Sequence, residues 1–230
     1  MEKQLNQWSK RNLTPFGKIT VIKSLILSQI VHILTSLPNP SENIKKEINV
    51  MFYNFIWDKK PDKIKRKIAN KKLLDGGLGM IDVGIFTQSL KLTWLRRNYT
   101  SRCKWKEILS AQQPNFNDIY RFGPAYAKLL LNNTTNKFWI DVLEAYIQLT
   151  KIATIRSIDE FKASSFMYND NIKVDKKHIN NKLLKNNGIQ YVHQLMSDNG
   201  FLSYKDFTEK YRVKLSFFNI SLNNCSCFKV

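Results

Sequence analysis

The chain has 230 residues, a mass of 27.0 kDa and 43% apolar side chains, enough for one large or two small domains with a buried core. Lys and Arg number 37 against 18 Asp and Glu, a formal charge of +19 that exceeds what solubility needs and suits a polyanionic partner. An acidic scaffold or acidic tail is excluded. Lys is far more abundant than Arg and Asn is frequent, so part of the charge is compositional; its distribution is more informative. Residues 1–115 carry 21 basic and 8 acidic side chains, residues 116–230 carry 16 and 10, and the N-terminal half is the better place for a polyanion.

In chain order, a short helix is expected over about Lys3 to Lys10, followed by a break at Asn12 to Gly17. Thr14 is a plausible N-cap, with Pro15 at the first helical position, where its missing amide costs nothing. Ile19, Ile22, Ile26, Ile30, Ile33 and Leu37 then recur at three- and four-residue steps, laying one continuous apolar stripe on a helix of five or six turns. Leu37-Pro38-Asn39-Pro40 ends it. Ser41 caps a second helix whose apolar set is Ile44, Ile48, Met51, Phe52, Phe55 and Ile56, with Trp57 closing it, and the two are expected to form an antiparallel hairpin. Lys59 to Lys72 is the densest charge run: Lys59, Lys60, Lys63, Lys65, Arg66, Lys67, Lys71 and Lys72 stand against Asp62 alone, while Ile64 and Ile68 are spaced to touch a core. Gly76, Gly77 and Gly79 mark a tight turn with close backbone approach. A third long helix starts near Asp82 and runs through Phe86, Leu90, Trp94 and Leu95 to Arg97.

Beyond Tyr99 the pieces shorten: helices over Trp105 to Leu109, Pro124 to Leu131 and Phe138 to Ile152, with Asn132 to Asn136 as a polar linker. Ile172 to Ile179 alternates as a small hairpin turning near Asp175-Lys176, and short helices follow over Asn180 to Lys185, Val192 to Met196 and Tyr204 to Tyr211. The stretch Ile19 to Leu37 is interrupted by Lys23, Ser24, Ser28, Gln29 and His32, so it is expected to fall short of the roughly 20 apolar residues of a bilayer span. Met1 to Arg11 lacks the apolar core of a signal peptide. No membrane partner and a nuclear or cytoplasmic rather than secreted address are the expectations.

Catalytic signals are weak. Two-metal chemistry needs converging carboxylates, and the acids are sparse, with Asp159-Glu160 the adjacent pair. The Gly76 cluster has neither the spacing nor the preceding strand of a phosphate-binding loop. His32, His178 and His193 have no ligand-spaced partners, Cys103, Cys225 and Cys227 fit neither a zinc module nor a disulfide framework, and no nucleophile motif occurs. The expectation is no catalytic residue, no metal and no cofactor. Binding remains. Lysines neutralise phosphates and release counterions; Lys10, Arg11, Lys18 and Lys23 flank the long helix, and the Lys59 to Lys72 run follows the next one. Trp57 and Trp94 fit core positions better than stacking platforms.

The string Trp8-Ser9-Lys10-Arg11-Asn12-Leu13-Thr14-Pro15-Phe16-Gly17-Lys18-Ile19-Thr20-Val21-Ile22-Lys23-Ser24-Leu25 resembles the segment after the catalytic palm in reverse transcriptases of LINE-type (non-LTR) retrotransposons. The likeness continues through Phe55-Ile56-Trp57, the basic linker, Gly76-Gly77, Asp82 and the Lys91 to Arg97 helix end. A second block, Ser165 to Asn169 with Ile172, then Asn187-Gly188-Ile189, Val192, Leu195 and Asn199 to Tyr204 with Phe207 and Tyr211, is similar to the C-terminal part of the same reading frame. Ile81 stands where that family often has Pro.

The helical spacing predicts a mainly α chain with a small α+β region over 157–230, and the resemblance implies that 1–100 is a thumb-like helical domain followed by a helical connector over 101–156. It also implies that Arg11, Lys18 and Lys23 face a nucleic-acid backbone, joining the candidates Lys59, Lys60, Lys63, Lys65, Arg66 and Lys67 from the charge run. The parent family is an RNA-directed DNA polymerase encoded by a transposable element. This chain lacks the palm with its aromatic-Ala-Asp-Asp metal site, the endonuclease and the Cys-rich knuckle. The expected function is therefore non-catalytic, sequence-independent binding of template-primer RNA, DNA or hybrid by a fragment, with a missing palm and fingers as further partner. The alternatives are an interaction scaffold whose apolar stripes dock a partner domain, or a fragment without independent activity.

Overall fold

The computed structural model describes residues 1–100, 103–152, 157–174, 177–197 and 200–213. The chain is mainly α, and among the described residues its C-terminal part holds two small antiparallel strand pairs. It divides into two compact units: Met1–Thr100 with Thr135–Ala145, and Ser101–Thr134 with Tyr146–Val230. The segment expected as a separate connector over 101–156 is thus split between the two, because the helix starting at Lys137 contributes its first turns to the first unit.

In the first unit α1 (Glu2–Ser9) precedes a rod made of α2 (Pro15–Val21), a π-helical turn (Ile22–Ile26) and α3 (Leu27–Ser36). Thr14 caps it as expected, its hydroxyl accepting from Gly17 N at 3.3 Å. The single apolar stripe does not survive intact. Ile19, Ile22 and Ile26 are buried, but the wider π turn shifts the helical phase, so Leu27 and Leu34 carry the core face onward while Ile33 and Leu37 are 45% and 55% exposed. Thr20 and Ser24 hydroxyls bond the carbonyls of Phe16 and Thr20 one turn back, the kind of contact that loosens a helix. By length and composition alone, Pro15–Ser36 is long and apolar enough to cross a membrane, at a mean hydropathy of 1.5, contrary to the expectation from its polar interruptions. In this fold the Ile19, Ile22 and Ile26 face is spent on the core.

Helix α4 (Glu42–Ile56), capped by Ser41 Oγ at Ile44 N, packs on α1 and α2. Ile48, Phe52, Tyr53, Phe55, Ile56 and Trp57 bury against the rod. A single turn, α5 (Arg66–Ala69), follows in the basic run, and helix α6 (Val83–Thr100) packs on α3 and α4. Its buried face reads Val83, Thr87, Lys91, Leu95 and Asn98, three of them polar, which hydrophobic periodicity does not disclose.

In the second unit α7 (Trp105–Gln112) and α8 (Ile119–Asn133) come first; α8 is broken at Gly123 (φ 74°, ψ −155°), with Pro124 restarting it. Helix α9 (Lys137–Ile152) follows, then α10 (Ile158–Ala163). The expected hairpin is present as β1 (Lys173–Val174) against β2 (Lys177–His178), its turn lying outside the described residues. A second pair, β3 (Met196–Ser197) with β4 (Gly200–Phe201), was not legible in the sequence; helices α11 (Lys182–Asn186) and α12 (Tyr204–Tyr211) lie before and after it.

Candidate nucleic-acid interface

The nine cationic candidates separate into different environments. Lys18 is the clear correction: only 4% exposed, it places its ammonium 2.5 Å from Asp58 Oδ1 and 3.4 Å from Ile56 O, at the C-terminal end of α4. A cation there satisfies a terminal helix carbonyl and complements the helix dipole. It holds the open end of the α2–α4 pair and is not a surface charge.

Lysine plays the same structural part elsewhere. Lys91 of α6 is fully buried and donates to Leu34 O at 2.8 Å and to Leu37 O, closing the C-terminus of α3 beneath the ring of Phe138 at 4.6 Å. Burial pushes its pKa down, opposed by the Asp141 carboxylate. Trp94 Nε1 donates to Thr35 O at 2.7 Å beside it.

Lys59 and Asp58 both take left-handed backbone conformations, φ 60° and 53°. Lys59 lines a groove of about 570 Å³ between α1 and α4 that also holds Glu2, Lys46, Glu47 and Asp58, so its surroundings are mixed in charge. Arg11 is exposed, its guanidinium 4.1 Å from the Trp8 ring centre.

The remaining candidates lie on one folded segment. Arg66 donates to Asp62 at 2.8 Å and covers the Tyr53 ring at 4.6 Å. Tyr53 donates its hydroxyl to Asn70 Oδ1 at 2.8 Å, and burial pushes its pKa up to about 12. Ala69 is buried, and its carbonyl accepts from both Leu78 N and Met80 N, tying the basic run to the chain that returns from the glycine turn. A Cβ on Gly77 would stand 2.1 Å from Lys71 O, so only glycine closes this turn. Lys23 joins from the π turn: a methyl on Gly79 would lie 3.5 Å from its Nζ. Lys60, Lys63, Lys65, Lys67, Lys71 and Lys72 are exposed, and among the described residues none of them makes an ion pair. Lys71 and Lys72 belong to the expected charge run but are not among the site candidates; Gly79, whose N bonds Lys71 O at 2.8 Å, lies beside Lys23 Nζ and so links the run to Lys23.

The second unit carries 18 basic and 9 acidic side chains against 19 and 9 in the first, but no run as dense as Lys59 to Lys72. A cleft of about 680 Å³ is lined by Tyr120, Arg121, Tyr168 and Tyr191 among others. On its wall Asp170 meets His178 at 3.0 Å and Lys173 at 3.1 Å; burial raises its pKa, but the hydrogen bonds from His178 and Lys173 together with the charges of Lys128 and Lys173 outweigh that and hold it below the ordinary carboxylate value. Among the described residues no group of three His, Cys, Asp or Glu side chains is placed to hold a metal ion. Cys103 is exposed and unbonded, and Cys225 and Cys227 lie outside the described residues. No protein-family model, no curated protein and no solved structure matches the chain.

Proposed function

We propose that the chain binds the phosphate backbone of duplex or hybrid nucleic acid without reading sequence, and performs no bond-making chemistry of its own. One observation supports the reading: the lysines between residues 60 and 72 are exposed and make no ion pair among the described residues, Asp62 is engaged by Arg66, and Gly79, bonded to Lys71 O, lies beside Lys23 Nζ. Each exposed, unpaired ammonium that meets a phosphate releases condensed counterions. The resemblance to the region after the palm in LINE-type reverse transcriptases supports the same role, that of a thumb holding template and primer; Lys18 leaves that contact set and Arg11 and Lys23 stay in it.

The test is a fluorescence-anisotropy titration of a labelled duplex at several salt concentrations. With about five phosphates neutralised, log K against log salt falls with a slope near about −4.5 for B-form DNA. Absence of binding at low salt, or a flat slope, removes the proposal. A second reading, a scaffold for a partner domain, draws on Phe16, Leu25, Ile33 and Leu37, which are 51%, 40%, 45% and 55% exposed along the rod. Under that reading the isolated protein self-associates at low concentration and ignores duplexes.

A further inference from the structure

We infer that Leu73 and Leu74 form an apolar wedge that enters the base stack of a duplex while the lysines around it hold phosphates. The inference rests on the proposed backbone binding and adds a mode of engagement to it. The two leucines occupy a single 3-10 turn, Leu73–Asp75, and are 62% and 97% exposed. They are not on a loose loop. Asp75 N and Gly77 N both bond Lys72 O, Gly76 N bonds Leu73 O, Gly79 N bonds Lys71 O, and Gly76 takes the left-handed conformation (φ 73°) that ends the turn. Gly77 lies so close to Lys71 that no larger residue fits. The tip is therefore held out into solvent by the backbone, and inserting it requires no further ordering of the chain.

The surroundings choose the partner. Lys71 and Lys72 directly precede the leucines, and Lys23 Nζ lies against Gly79 at the foot of the turn; Asp75, the carboxylate beside them, is outnumbered. A second copy of this chain would bring lysines against lysines, which electrostatics disfavours. A duplex satisfies both halves of the surface: phosphates for the ammonium groups, and the apolar faces of an opened base step for leucine, a side chain that serves as such a wedge in minor-groove binders.

The experiment compares the full chain with Leu73→Ser/Leu74→Ser on a duplex carrying 2-aminopurine, whose emission rises when its stacking is broken, and repeats the titration by anisotropy. Because both leucines are exposed, thermal unfolding stays at the wild-type midpoint and reports that folding is intact. The wild type raises the emission; the double variant does not, and its affinity is about tenfold lower with an unchanged salt slope. Equal affinity and equal emission for the two proteins overturn the wedge and leave backbone binding standing. A wild type that binds no duplex at low salt ends the underlying reading instead. Leucine-dependent sedimentation with phosphatidylcholine–phosphatidylserine vesicles, with 2-aminopurine silent, overturns the wedge in favour of a lipid surface.

Discussion

Replacing Lys18 with Met removes one ammonium and keeps a flexible side chain of similar length, so it isolates what the charge does. The side chain is 5% exposed against 59% for Asp58, with the contacts to Asp58 Oδ1 at 2.5 Å and Ile56 O at 3.4 Å. Asp58 stays hydrated when its partner is gone, which places the pair between the 0–1 kcal/mol of an exposed ion pair and the 3–5 kcal/mol of breaking a fully buried one, at about 1–2 kcal/mol. Lys18→Ala also removes three buried methylenes at about 0.8 kcal/mol each, for a total of about 3–4 kcal/mol. Urea unfolding followed by circular dichroism measures both, and the order wild type, Met, Ala in falling midpoint is expected. Below the transition, both variants bind duplex with the wild-type salt slope. A Lys18→Met protein that unfolds at the wild-type midpoint but loses affinity for duplex refutes the assignment of Lys18 to the fold.

Three other expectations follow from the same geometry. Lys91→Met leaves the carbonyls of Leu34 and Leu37 without their donor and lowers stability by about 2 kcal/mol; an unchanged urea midpoint contradicts it. Gly77→Ala drives a methyl into Lys71 O and opens the turn at a cost of about 3 kcal/mol, so the amides of Leu78 and Met80, bonded to Ala69 O, lose protection in hydrogen exchange; full protection counts against the close approach. Tyr53 titrates near 10 when unfolded and at about 12 when folded. Between those values the unfolded chain holds fewer protons, so stability falls as pH rises, by about 1.4 kcal/mol per pH unit. Tyr53→Phe flattens that decline for the first unit, and an identical slope in the variant shows that the hydroxyl is not buried in solution.

Much of the helical order is legible because capping and proline chemistry are local. Thr14, Pro15 and Ser41 mark helix starts that depend only on their immediate neighbours. The glycine turn is likewise local, since Gly77 has no room for a side chain whatever surrounds the unit. What periodicity misreads depends on phase and on burial. The π turn at Ile22–Ile26 rotates everything after it, so Ile33 and Leu37 leave the core and Leu34 enters. The candidate site fails in the same way at Lys18: a lysine in a basic segment reads as surface, and only the fold reveals that the end of α4 lies beside it. Lys91 is the converse, a core position hidden by its polar identity. Charge density over Lys59 to Lys72 does read through, because residues in one short segment remain neighbours in any fold, although Arg66 is paired with Asp62 and Lys59 lines the groove between α1 and α4.

The central claim is that the exposed lysines between residues 60 and 72 hold phosphates. Lys63, Lys65 and Lys67 changed together to Ala measure it most directly, since all three are exposed and their loss leaves unfolding nearly unaltered. The salt slope for duplex binding becomes shallower by about 2.7, three counterion-releasing contacts at about 0.9 each. A triple variant with the wild-type slope contradicts the claim.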